Sequence, residues 1–130
     1  MGSIQRSERR YGVFCVISAF NGRSRGPDGS ILENYTVAEI VKSYYYSGEM
    51  PLINYYRDND AKEIDVVIES DGETHPMEIK KTSNPGTQLV RPFRLLDKGS
   101  VKRGQGAILC MKDTLSAIDS QNLIVPIWSI

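Results

Sequence analysis

The sequence predicts an α/β fold, a mixed β-sheet core flanked by helices, and three observations carry that prediction. Residues 30–46 place apolar side chains at helical spacing, residues 63–79 alternate with period two on either side of Asp71-Gly72, and residues 107–111 and 123–128 are short apolar runs. A hairpin with one apolar face needs a single covering layer, whereas a continuous apolar strand needs cover on both faces. A sheet with helices packed on it meets both demands.

The elements follow in order. Arg6, Arg9 and Arg10 precede an apolar stretch at 11–20 that superficially resembles a secretory signal, but no small-x-small cleavage site follows cleanly. The stretch is also too short to span a bilayer, so a strand or short helix packed on the domain is expected. Residues 21–29, rich in Gly, Pro, Asn, Arg and Ser, read as a flexible linker. From Ser30 to Tyr46 the residues Val37, Ala38, Ile40, Val41, Tyr44 and Tyr45 fall on one side of a helix, with Thr36, Glu39, Lys42 and Ser43 on the other, and Gly48 ends it. After the hairpin, residues 81–86 form a loop leading into a short helix containing Leu89, Phe93, Leu95 and Leu96, a helix that Pro92 disfavours. Ala107 to Met111 suits a strand covered on both faces. Leu123 to Trp128 suits another, in which Pro126 demands an edge position or a bend. The predicted order is helix, three-stranded meander, helix, strand and terminal strand.

The hairpin carries the chemistry. Asp71-Gly72 is a strong signal for a two-residue turn, and counting outward from Ser70 opposite Glu73 places Asp65 opposite Glu78 and Lys80 opposite Glu63. Glu63, Asp65, Val67 and Glu69 then share a face with Thr74, Pro76, Glu78 and Lys80, while Ile64, Val66, Ile68, Met77 and Ile79 occupy the other. Like charges directly opposite one another are destabilising. Two readings stand: a divalent cation bound by both carboxylates, or a polar face left in water, where screening makes the repulsion small. Glu33 lies in the row of Val37, Ile40 and Tyr44, and a carboxylate on the packed side of a helix needs a partner. Ser30-x-x-Glu33 also reads as a capping box, in which Glu33 bonds back to the backbone of Ser30.

Composition bounds the rest. At 130 residues the chain is one domain, large enough to bury a core without disulfides. Formal net charge is zero, yet eight acids against Arg57 and Lys62 occupy residues 57–78, and seven bases against Asp97 occupy residues 80–103. Cys15 and Cys110, far apart in apolar contexts, read as buried thiols of a reducing, cytoplasmic setting with neither zinc nor disulfide. His75 stands alone beside Pro76 and reads as a hairpin residue rather than a ligand. Tyr44 to Tyr46 and Tyr55-Tyr56 read mainly as packing residues, with base stacking as the alternative. No GxxxxGK[ST] occurs in these residues, which excludes P-loop ATP hydrolysis by them.

The stretches ENYTVAEIVKSYY, INYYRDNDAKEIDVVIE, MEIKK, GAILCMKD and IVPIWSI resemble the C-terminal domain of unknown function that follows the ATPase module in many bacterial and archaeal AAA-type ATPases. That domain is similar to the PD-(D/E)XK nucleases, with a restriction-endonuclease-like fold, and the resemblance covers residues 29–130. Residues 1–28 are set apart as an N-terminal extension. The family pattern, an acid ending one strand and Glu-x-Lys on the next, matches Asp65, Glu78 and Lys80.

The resemblance implies a Mg²⁺- or Mn²⁺-dependent hydrolysis of DNA phosphodiesters. Asp65 and Glu78 would hold the metal, Glu33 on the first helix would complete the acidic cluster, and Lys80 would orient or deprotonate the attacking water or stabilise charge on the phosphate. Lys81, Arg91, Arg94, Lys98, Lys102 and Arg103 would contact the DNA backbone, with Thr82, Ser83 and Gln88 as further contacts. The alternative is a catalytically silent module that binds DNA, an AAA-type ATPase module or a copy of itself. No membrane association is expected.

Overall fold

The computed structural model describes residues 3–6, 27–50, 52–57 and 62–130. Strand β1 (Ser3–Arg6) is followed by helix α1 (Pro27–Tyr46), then β2 (Leu52–Arg57), β3 (Glu63–Ser70) and β4 (Glu73–Ile79). A 3-10 helix (Thr87–Lys98), β5 (Lys102–Arg103), β6 (Gly106–Cys110), β7 (Ser116–Ala117), β8 (Asn122–Pro126) and a last 3-10 turn (Ile127–Ser129) complete the chain. They build one mixed sheet in the order β1-β2-β3-β4-β6-β8-β7, with β5 pairing β4. The meander β1 to β4 is antiparallel, whereas β4, β6 and β8 run parallel. The α/β fold predicted from sequence is present.

Helix α1 starts earlier than expected. Residues 27–29, assigned to a linker, are its first turn, since the fixed φ of proline suits the first helical position. Ser30 is therefore inside the helix, and the capping box drawn on Ser30 and Glu33 is not formed as an N-cap. The helix ends as expected at Gly48, whose φ of 79° lets its N–H reach Tyr45 O at 3.1 Å and the Glu49 N–H reach Tyr44 O at 3.0 Å. Residues 7–26, including the stretch at 11–20, Cys15 and the rest of the supposed linker, lie outside the described residues.

Two layers cover the sheet. On one face Val37, Ile40 and Val41 of α1 pack with Ile53, Val66, Ile68, Ile79, Leu109 and Ile127. On the other, Phe93 and Leu96 of the 3-10 helix pack with Tyr56, Ile64 and Val67, and beside them Ile108, Cys110 and Ile124 meet Leu89 and Val90. β6 is buried along its whole length, as a strand covered on both faces should be. Thr36, placed on the polar side by the sequence reading, is fully buried, and its hydroxyl donates to Leu32 O at 2.8 Å, which removes the cost of burying it.

The second helix is 3-10 rather than α. Pro92 has no N–H to give, and a period of three residues aligns Val90, Phe93 and Leu96 inward and Arg91, Arg94 and Asp97 outward. Gly106 is required by close approach, since a Cβ there would lie 2.9 Å from the Phe93 ring. Pro126 is the last residue of β8, where the chain bends into its final turn, as the sequence suggested.

Candidate active site

Asp71 and Gly72 have φ of 53° and 78°, the doubly positive pair of a type I′ turn, which sets the hairpin register. Ser70 faces Glu73, Glu69 faces Thr74, Ile68 faces His75, Val67 faces Pro76 and Val66 faces Met77, all as counted from the turn. The ladder stops there, one step short of Asp65 and Glu78. At that step the Asp65 Oδ2 accepts the Ile79 N–H at 3.0 Å, so a side chain takes the place of a ladder carbonyl. Asp65 is thereby joined to the main chain of the residue between Glu78 and Lys80.

The cause lies on the other side of β3. Asn54 pairs with Val67 and Tyr56 with Ile64, so Asp65 and Val66 together oppose the single residue Tyr55. That extra residue is a β-bulge, which bends the strand and re-aims a side chain. It also reverses the alternation: Ile64, expected on the face of Val66 and Ile68, packs instead with Val67 under the 3-10 helix. The expected pairing of Lys80 with Glu63 is not part of the β3–β4 ladder, which ends at Val66 and Met77. Glu63 pairs with Arg57 in the β2 register, and the Lys80 N–H goes to Leu109 O at 2.9 Å.

The carboxylates do not sit on a wet face. Asp65 is 0% exposed, Glu33 3% and Glu78 8%, and their neighbours Thr74, Val67 and Pro76 are buried as well. The solvated-face reading fails because both faces of the sheet are covered, one by α1 and the other by the 3-10 helix. Glu69 is also held, accepting the Asn54 amide N–H at 2.9 Å. Lys80, by contrast, is exposed at the end of β4. Among the described residues, no three or more His, Cys, Asp or Glu side chains are grouped to hold a metal ion. Glu33, Asp65 and Glu78 are therefore each buried without forming the three-acid metal set implied by the resemblance. Glu33 projects from the face of α1 that carries Val37 and Ile40.

The basic segment is divided rather than continuous. Lys80 and Lys81 are exposed at the end of β4, while Arg91, Arg94 and Lys98 are exposed on the 3-10 helix. Lys102 and Arg103 lie beside Glu73 and Thr74 at the hairpin turn, roughly 20 Å from Lys80 at strand rise. There both are ion-paired: Lys102 Nζ is 3.1 Å from Glu73, and Arg103, only 10% exposed, lies 3.1 Å from Asp97 and donates to Gln121. Thr82 Oγ1 accepts the Asn84 N–H at 3.2 Å, the bond of a turn former. Ser83 and Gln88 are exposed in the same loop and the first turn of the 3-10 helix.

Sequence reasoning missed Asp119, whose carboxylate accepts the Gln121 and Asn122 N–H groups at 2.8 Å each and both ways from the Asn122 amide. The Asn122 amide first, and the Gln121 N–H next, hold its carboxyl below the ordinary aspartate range. The local signal was there in Asp119-Ser-Gln-Asn122, a turn in which a side chain caps the backbone two and three residues on. His75 behaves as read, half-buried with Nδ1 3.0 Å from Gln105 O. Cys110 is a buried free thiol.

The family model described as domain of unknown function DUF4143 matches residues 28–130. The chain belongs to this family. The DUF4143 match runs from the first turn of α1 to the last residue and contains Glu33, Asp65, Glu78 and Lys80, while β1 lies outside it. Searches of curated proteins and of solved structures gave no match. Among the described residues of this DUF4143 chain, no helix is long and apolar enough to cross a membrane.

Proposed function

We propose that the chain is a nuclease-like domain of PD-(D/E)XK type, a divalent-metal-dependent DNA phosphodiester hydrolase attached in its relatives to an AAA-type ATPase. One observation carries the reading: the Asp65 carboxylate, at a bulge, is bonded to the backbone within Glu78-Ile79-Lys80, with both acids buried and the lysine exposed. The C-terminal ends of parallel strands are also where open α/β sheets take ligands.

The donor set fits Mg²⁺ or Mn²⁺ in the form in which one or two carboxylates hold the ion and water and substrate phosphate complete its shell. Asp65 and Glu78 would hold it, and Glu33 would act as an auxiliary acid rather than a third ligand. When bound, such an ion neutralises the phosphate and makes water nucleophilic. The Ile79 N–H orients Asp65, using one of its roughly four acceptor directions. Lys80 presents its ammonium to the substrate phosphate or to the attacking water, the position a general base or charge stabiliser needs. Arg91 and Arg94, one 3-10 turn and about 6 Å apart on an exposed ridge, provide cations for the DNA backbone.

The test is incubation of the chain with supercoiled, linear and branched DNA in Mg²⁺ and in Mn²⁺ beside a folded Asp65→Ala variant. Cleavage lost in the variant is expected; equal cleavage, or none, overturns the reading. A second reading, a silent module that binds DNA, an ATPase module or its own copy, is favoured by the lack of a three-acid metal group among the described residues. It requires metal-independent binding that disappears when Arg91, Arg94 and Lys98 are replaced.

A further inference from the structure

Parallel pairing brings three chain segments out of the sheet side by side. The Lys80 N–H bonds to Leu109 O at 2.9 Å and the Met111 N–H to Thr82 O at 2.8 Å, while Cys110 is level with Pro126. Lys80, Lys81, Met111, Lys112 and Trp128 therefore leave the ends of β4, β6 and β8 along one edge, the outer strands about 10 Å apart. Trp128 is 55% exposed and Met111 39%. Lys80 and Lys81 are exposed and Lys112 half-buried, with Asp113 the acid next in the loop. An exposed indole and three lysines leaving the same sheet edge combine a stacking surface with charge complementary to a phosphate chain.

We propose that this edge seats an unpaired stretch of nucleic acid, its bases stacking on Trp128 and its phosphates meeting Lys80, Lys81 and Lys112. The occupant is single-stranded because a duplex keeps its base faces stacked inside, where an indole cannot reach them without unstacking the duplex. This inference rests on the nucleic-acid reading above and specifies it: the substrate would carry a frayed, branched or single-stranded segment beside Glu78 and Lys80.

The chain has one tryptophan, so its emission reports on this position alone. The full chain is titrated in EDTA with a short oligo-dT strand and with a duplex of equal length, and binding is followed in parallel by anisotropy of the labelled DNA. Emission is expected to be quenched by the single strand, with an affinity at least about fivefold above that for the duplex. Trp128→Leu should weaken binding roughly tenfold and Trp128→Phe, which keeps a ring, far less. Replacing Lys81 and Lys112 by Gln should flatten the salt dependence. Thermal melts establish that each variant is folded. Unchanged emission, equal affinity in folded Trp128→Leu, or a preference for duplex overturns the proposal. So does an emission change that follows protein concentration without DNA, which would assign the edge to a second copy of the chain. Metal-free binding separates the two ideas: cleavage without quenching sinks this one, and quenching without cleavage sinks the hydrolase.

Discussion

The two ends of β4 hold the same kinds of charge in opposite ways. At the hairpin end Glu73 lies 3.1 Å from Lys102 and Arg103 lies 3.1 Å from Asp97, with at least one partner of each pair well exposed. At the other end the acids Asp65 and Glu78 are buried and the lysines 80 and 81 stand in water. Exposed pairs contribute between zero and about 1 kcal/mol, so the hairpin end is charge matched for local order. Burying a carboxylate is costly unless it is partnered, and Asp65 is held by the Ile79 N–H. On the reading proposed above, one end of the strand serves structure and the other serves chemistry.

Several changes test that contrast. Phe93→Ala removes the fully buried ring that fastens the 3-10 helix over Val67 and should cost about 3–5 kcal/mol in denaturant melts. A loss below 1 kcal/mol would mean that the ring does not fasten the 3-10 helix to the sheet. Asp65→Asn keeps an acceptor for the Ile79 N–H and removes the charge. Stability should stay near that of the parent while metal-dependent cleavage falls by roughly 10²–10³, the scale of losing one electrostatic group at a reacting centre. Lys80→Ala should lower cleavage by about 10² or more without moving the melt, because the side chain is exposed. If Lys80→Ala changes stability and not rate, the contrast between the two ends is wrong.

Smaller effects belong to the hairpin end. Glu73→Gln should change stability by less than about 1 kcal/mol, and by less still in high salt. Its cleavage activity should match the parent; a large loss would place the working site at the hairpin. The smallest expected effect is the contribution of Asp119. Its carboxyl is held below the ordinary value of 3.8, so the unfolded chain takes up a proton first as pH falls. The stabilisation is complete above that value and is lost as pH drops through the lower folded one. Melts of the parent and of Asp119→Ala should therefore differ at pH 6 and converge in acid below that window. Equal separation at both ends of the titration would remove Asp119 from the account.

Local and non-local physics divide the molecule cleanly. The register of β3 on β4 was legible because Asp71-Gly72 adopts positive φ at both positions, and a two-residue turn leaves no freedom in which residues face each other. The helix end at Gly48, the doubly covered β6 and the bend at Pro126 were legible for similar reasons: each depends on a dihedral or on one strand's own apolar pattern. The bulge at Asp65 was not legible. It arises from pairing with β2, and the hairpin's own alternation contains no sign of an extra residue. Thr36 was misplaced because its hydroxyl satisfies itself on Leu32 O, which period counting does not register.

By itself the sequence determined an α/β chain and the hairpin register near its turn, which follow from spacing within a few residues, while the candidate triplet Asp65, Glu78 and Lys80 came from the family resemblance. Only the tertiary structure decided that the acids are buried, that the seven bases of residues 80–103 separate into three places, and that Trp128 leaves the same sheet edge as Lys80. Those outcomes depend on which strands pair across long separations and on what the 3-10 helix covers, and burial and electrostatics follow the neighbours in space rather than in the chain.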